Sequence, residues 1–139
     1  MSLVSGYHHL TMSTDGAQED FDFFTKDLGL HSVKRTVLFD GVLPVYHLYY
    51  GSKNGDASTI FTTFPFRKPG LFGRRGTNQS KVIQAAIPVG AAEFWVNRLN
   101  GRGVLPRNSA ALASRVWRLN ILVAFPLSWL RTQGTGAKP

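Results

Sequence analysis

Cysteine is absent from the 139 residues, which excludes a disulfide framework, a thiolate metal site and a thiol nucleophile, and allows a reducing compartment. Long apolar runs are also missing. The most apolar window, Leu119 to Leu130, is interrupted by Pro126 and is shorter than the ~20 residues of a membrane-spanning helix. The opening MSLVSGYHHL has no basic residues leading into a long apolar run, so it does not read as a secretory signal. A soluble, cytoplasmic chain with no membrane partner is the expectation. Acidic residues are scarce and unevenly placed. All eight lie within residues 1–93 beside nine basic ones (9 − 8 = +1), whereas residues 94–139 hold seven basic residues and no acid (+7). An ordinary domain would carry about five acids in a stretch of that length.

The basic character therefore belongs to the tail. Its Arg98, Arg102, Arg107, Arg115, Arg118 and Arg131, interleaved with Trp95, Trp117 and Trp129, have the chemistry to meet phosphates and stack on bases. No nucleic-acid-binding motif accompanies them, and no nucleic-acid partner is expected.

What is present reads as an α+β fold. Tyr7–Ser13 alternates like a strand. In the next segment Phe21, Phe24 and Leu28 take the spacing of one helical face, broadened by Phe23. Glu19, Asp20 and Asp22 fall in the early turns, where the helix dipole favours them, and Gly29 supplies the stop. Strand-like runs follow at His31–Val37, Pro44–Tyr50 and Thr59–Phe66, with turns at Asp40–Gly41 and Asn54–Asp56. After the basic loop RKPGLFGRRGTNQ the order restarts: strand KVIQAAIPV, then helix GAAEFWVNRLNGRG with Phe94, Trp95 and Leu99 on its apolar side and Gly101 or Gly103 as its stop. Beyond Val104 the only respectable strand is Leu119–Phe125.

The four histidines divide by context. Adjacent strand residues point to opposite faces, so His8 and His9 cannot both look into one site on a regular strand. His31 follows a helix stop and reads as a surface residue. His47, among the aromatics of VYHLYY, reads as a hydrogen-bonded structural histidine, and Tyr46, Tyr49 and Tyr50 as packing. The loop FRKPGLFGRRG reads as a solvated connection and lacks the frame of a phosphate loop.

The β-α-β-β-β order, with a histidine on its first strand, resembles the vicinal oxygen chelate superfamily of glyoxalase I, bleomycin-resistance proteins and extradiol dioxygenases. The local pattern HHLTM…AQEDFDFFTKDLGL…VKRTVLFDG…PVYHLYYG…TIFTTFPFRKPG…GRRGTNQ, over roughly residues 6–104, is similar to the N-terminal half of the hydroquinone ring-cleaving dioxygenases. The resemblance implies an Fe(II)-dependent dioxygenase that opens a small hydroquinone-like aromatic substrate. It makes His9 a metal ligand, and Thr11 and His8 catalytic residues beside it. Thr11 shares the strand face of His9; His8 starts on the opposite face and reaches the site only if the strand twists or bulges or if it reaches around an edge.

The family's iron is held by two histidines and one carboxylate, and the resemblance places the other two ligands in a second half that this chain does not carry. The expected organisation is a first β-α-β-β-β unit with its connecting loop over residues 1–80, the start of a second unit over 81–104, and an atypical basic tail over 105–139. The acid-free tail reads as out-of-frame or rearranged sequence that truncates a two-module enzyme inactive on its own. The alternative is a glyoxalase- or bleomycin-resistance-like binding module without catalysis. A homo-oligomer is expected, since a single unit leaves sheet edges unpaired.

Overall fold

The computed structural model describes residues 3–39, 41–67, 71, 77, 82–104 and the strand at 122–126. The chain divides into two compact units, with the break between residues 74 and 75.

The first unit is a four-stranded mixed sheet with one helical segment. Strand β1 (His9–Thr14) leads into helix α1 (Ala17–Asp22), which continues as a turn of π-helix over Phe23–Asp27. Strands β2 (His31–Phe39), β3 (Pro44–Gly51) and β4 (Ile60–Pro65) follow, and the sheet order is β1-β4-β3-β2. The connections explain that order. Short links make β2, β3 and β4 successive antiparallel neighbours, whereas β1 reaches the opposite edge only through the helix. The return of β4 to β1 is therefore a parallel pairing, with His9 opposite Ile60 and Thr11 opposite Thr62. A bulge between Ser32 and Lys34 interrupts the β2–β3 ladder.

Each strand divides its residues between two faces. Phe24 stacks on Tyr50 (4.6 Å between ring centroids) and on Phe61 (5.8 Å), which marks the helix-covered face. Met12, Leu48, Tyr50 and Thr63 are buried there, and a fully buried Phe or Leu contributes roughly 1.5–3 kcal/mol. The π turn, closed by the Leu28 amide on the Phe23 carbonyl (3.0 Å), adds a residue to the helical period. As a result the adjacent Phe23 and Phe24 both turn inward, and the inward stripe departs from the simple 21/24/28 face. Gly29 ends the segment at φ +68°, a conformation that a residue with Cβ adopts only at a penalty.

The second unit contains β5 (Val82–Ala86), α2 (Ala92–Gly101) and β6 (Leu122–Pro126), with β5 and β6 antiparallel. The helix runs through Gly101, and Gly103 takes the positive φ. Leu99, Ile87 and Val104 are buried. Apart from β6, the tail from 105 onward lies outside the described residues, as do Asp40 and most of the basic loop.

Candidate functional site on the far face of the first sheet

The face of the sheet away from the helix carries most of the chain's candidate chemistry. Register arranges it in rows. Thr11 on β1, Thr62 on β4, Tyr49 on β3 and Lys34 on β2 form one row. Ser13, Phe64, His47 and Thr36 form the next. His9 lies beside Ile60 on the other side of Thr11.

The strand containing His9 begins at His9 and not at Tyr7. His8 precedes it, so strand alternation does not apply at that position. The His8 carbonyl accepts a hydrogen bond from the Ser58 amide at 2.8 Å. Its imidazole meets that of His9 edge to face, with the two Nδ1 atoms 3.1 Å apart. Both rings are exposed. Because the contact uses Nδ1 of each ring, Nε2 of His9 is left for a ligand. Thr11 is also exposed, and the buried Thr62 hydroxyl donates to its Oγ1 at 2.9 Å. Thus His8, His9 and Thr11 lie together at one end of the face.

His47, read from sequence as a hydrogen-bonded structural histidine, and Tyr49, read as packing, also occupy this face. Nδ1 of His47 lies 3.0 Å from the Tyr49 hydroxyl, and its ring stacks on Phe64 at 4.0 Å. Lys34 Nζ lies over the Tyr49 ring, 5.4 Å from its centroid. Burial, with the charges of His9 and Lys34, holds the His47 imidazole below its ordinary range, so the ring is neutral at pH 7. The reading of His47 as hydrogen-bonded fits this geometry, but the hydrogen bond forms on the same face as His9. Tyr50 packs on the opposite face with Phe24. The alternation of PVYHLYY was the available signal: it pairs His47 with Tyr49 and opposes both to Tyr50.

Carboxylates are elsewhere. None stands on β1–β4. Arg67 holds Asp15 through Nε (3.0 Å) and Nη2 (2.6 Å), and Glu19 through Nη1. Asp22 pairs with Lys26 at 2.9 Å, Asp56 accepts from Ser52 at 2.6 Å, Asp27 is on the π turn, and Glu93 is on α2. Asp20 is fully buried on the helix-covered side and takes a hydrogen bond from Thr14. Desolvation pushes its carboxyl up to about 7, against the Thr14 hydroxyl that favours the ion. Among the described residues no three His, Asp or Glu side chains converge as a metal-holding group. The donors on the far face therefore do not fit a two-histidine, one-carboxylate iron centre; they supply imidazole alone.

The mixed four-stranded sheet with its single helical segment is the β-α-β-β-β unit of the vicinal oxygen chelate fold. Over its N-terminal portion the chain is homologous to the ring-cleaving dioxygenases. It is 44% identical over 101 residues to the chlorohydroquinone/hydroquinone 1,2-dioxygenase of Sphingobium indicum, an overlap covering 73% of this chain and 32% of that protein. It is 41% identical over 101 residues to a Bacillus subtilis protein named as the ring-cleaving dioxygenase MhqE, covering 73% of this chain and 33% of that one. Among solved structures, a Bacillus subtilis protein described as a dioxygenase superposes with a TM-score of 0.58 at 31% identity, over 86% of this chain and 36% of that one. No protein-family model matches. The chain spans about a third of the length of the curated relatives it matches. No helix among the described residues is long and apolar enough to cross a membrane.

Proposed function

We propose that this chain supplies one wall of the active site of a ring-cleaving dioxygenase acting on hydroquinone-like phenols. The observation that carries the reading is the grouping of His9, His8 and Thr11 at one end of the far face, on a unit homologous to such enzymes. His9 is the metal ligand through Nε2, with Fe(II) as the metal that the family resemblance implies. The Thr11 hydroxyl, whose oxygen already accepts from Thr62, retains its own hydrogen for substrate. His8 steadies the His9 ring and offers a second proton site beside it. His9 would hold one position of the iron, which would supply the redox chemistry; the chain's other residues bind, orient and hold or move protons.

The same face lacks a carboxylate among the described residues, and no Asp or Glu follows Glu93 anywhere in the sequence. The chain alone is therefore proposed to have no substantial ring-cleaving activity, because imidazole ligands without a carboxylate leave Fe(II) weakly held and uncompensated in charge. That same lack favours, as second reading, a metal-free module that only binds a small aromatic molecule. We also propose that the chain self-associates in the cytoplasm, since Val37, Leu38, Phe39, Val42 and Tyr46 stand exposed around the β2–β3 hairpin. The proposed organisation remains a unit to residue 80, a second beginning at 81, and an atypical tail from 105.

The test follows the imidazole resonances of the whole chain during anaerobic Fe(II) addition, and oxygen uptake on hydroquinone afterwards. Fe(II) is expected to broaden the His9 signals first, with loss of this response in His9→Ala and no steady oxygen uptake. Iron that leaves His9 untouched would remove the dioxygenase reading in favour of the binding module. Steady uptake that disappears in His9→Ala would overturn the claim of inactivity.

A further inference from the structure

We propose that Tyr49 and His47 form a second ligand-contacting group on the far face, a hydrogen-bond donor site for the ring oxygen of a phenolic ligand, with His47 as the residue that positions Tyr49. The choice of a phenolic ligand rests on the function proposed above; the couple itself rests on geometry.

Tyr49 and Tyr50 are adjacent and have opposite situations. Tyr50 is fully buried against Phe24, which accounts for it as packing. Tyr49 is half-buried, in line with Thr62 and Thr11, and its ring bears Lys34 on one side. Its hydroxyl meets His47 Nδ1, two residues back on the same strand face. Phe64, stacked at 4.0 Å, fixes the plane of that imidazole, so the direction of the bond is fixed as well.

The other ring nitrogen decides the direction of donation. His47 Nε2 is shielded from solvent and has no hydrogen-bond partner among the described residues. A buried N–H without a partner is rarer and costlier than a buried lone pair without one. The neutral ring therefore carries its hydrogen on Nδ1 and donates it to the Tyr49 oxygen. The Tyr49 O–H is then uncommitted within the couple, and acceptance from His47 makes it a better donor. Thr11, at the end of the row, is in the same position, since its oxygen accepts from Thr62. Within the row Thr11–Thr62–Tyr49–Lys34, Thr11 and Tyr49 thus offer two hydroxyls whose oxygens are already engaged and whose hydrogens are available. A ring bearing oxygens at opposite ends complements this pattern; an apolar ring does not.

The experiment measures binding to the full chain by NMR titration, using hydroquinone and 1,4-dimethoxybenzene, which keeps the ring and loses both hydroxyls. Tyr49→Phe is expected to weaken hydroquinone about tenfold, the loss of one hydrogen bond, and to leave dimethoxybenzene unchanged. His47→Leu should reproduce that loss, and His47→Asn, which keeps a side-chain N–H beside Tyr49, should recover part of it. Unchanged hydroquinone affinity in Tyr49→Phe overturns the proposal, as does a wild-type chain that does not bind hydroquinone. A Tyr49→Phe chain that fails to fold overturns it too, because the hydroxyl is then structural. Tyr49-dependent binding with Fe(II) ignoring His9 would remove the dioxygenase reading and leave this inference standing. Fe(II) broadening of the His9 signals with hydroquinone affinity unchanged in Tyr49→Phe would do the reverse.

Discussion

Replacing Asp20 by asparagine should make the protein more stable at pH 8 and leave it nearly unchanged at pH 4. The Asp20 carboxyl is fully buried beneath the sheet, near Tyr50 and Thr63, with one oxygen bonded to Thr14 and Oδ1 lacking a hydrogen-bond partner among the described residues. Burial raises its pKa from 3.8 to about 7, helped by the charges of Glu19 and Asp15. Between those values the folded chain binds a proton that the unfolded chain has released, so stability falls as pH rises from about 4 to 7 and is level above that. At about 1.4 kcal/mol per pH unit, the three-unit interval sets an upper limit of roughly 4 kcal/mol. Local relaxation and water entry reduce this, and about 2 kcal/mol is expected, or roughly 10 °C in melting temperature for a unit of this size. The amide keeps an oxygen for Thr14 and stays neutral throughout. The assay is the difference in thermal melting between wild type and Asp20→Asn from pH 4 to 8; taking the difference removes the titration of carboxylates common to both chains. A difference independent of pH, or destabilisation by the amide at pH 8, would refute the assignment of Asp20 as a carboxyl kept neutral by burial.

Three further outcomes are expected. Arg67→Met releases Asp15 and Glu19, and since the guanidinium is 39% exposed the loss should be about 1 kcal/mol in urea unfolding and smaller in high salt. Gly55→Ala forces a side chain onto a residue at φ +68° and places a Cβ 2.9 Å from Val33 Cγ1, so it should destabilise by about 1–2 kcal/mol, read from the same unfolding curves. Light scattering at tens of micromolar should report a dimer or larger species, and a well-behaved monomer would contradict self-association through the exposed hairpin.

Periodicity alone carried the first unit a long way. A period of two in HLTMST, PVYHLYY and TIFTTFPF, a helical period between them and glycines at the breaks sufficed to place a strand, a helix and three strands in order, because these patterns are local consequences of backbone geometry. The acids' restriction to residues 1–93 is likewise a property of the sequence, and with it the shortage of carboxylates for a metal centre. The chain could not state which residues of different strands meet. Thr11 and Thr62 are 51 positions apart, and only the parallel pairing of β1 with β4 makes them neighbours. His47 and Tyr49 were visible as one face of a strand, but the side on which that face lay depended on where the helix packed. Asp20 looked like an ordinary charge in a helix's first turns. The turn of the helix against the sheet removed it from water, and burial is a property of the whole packed unit that no local pattern contains.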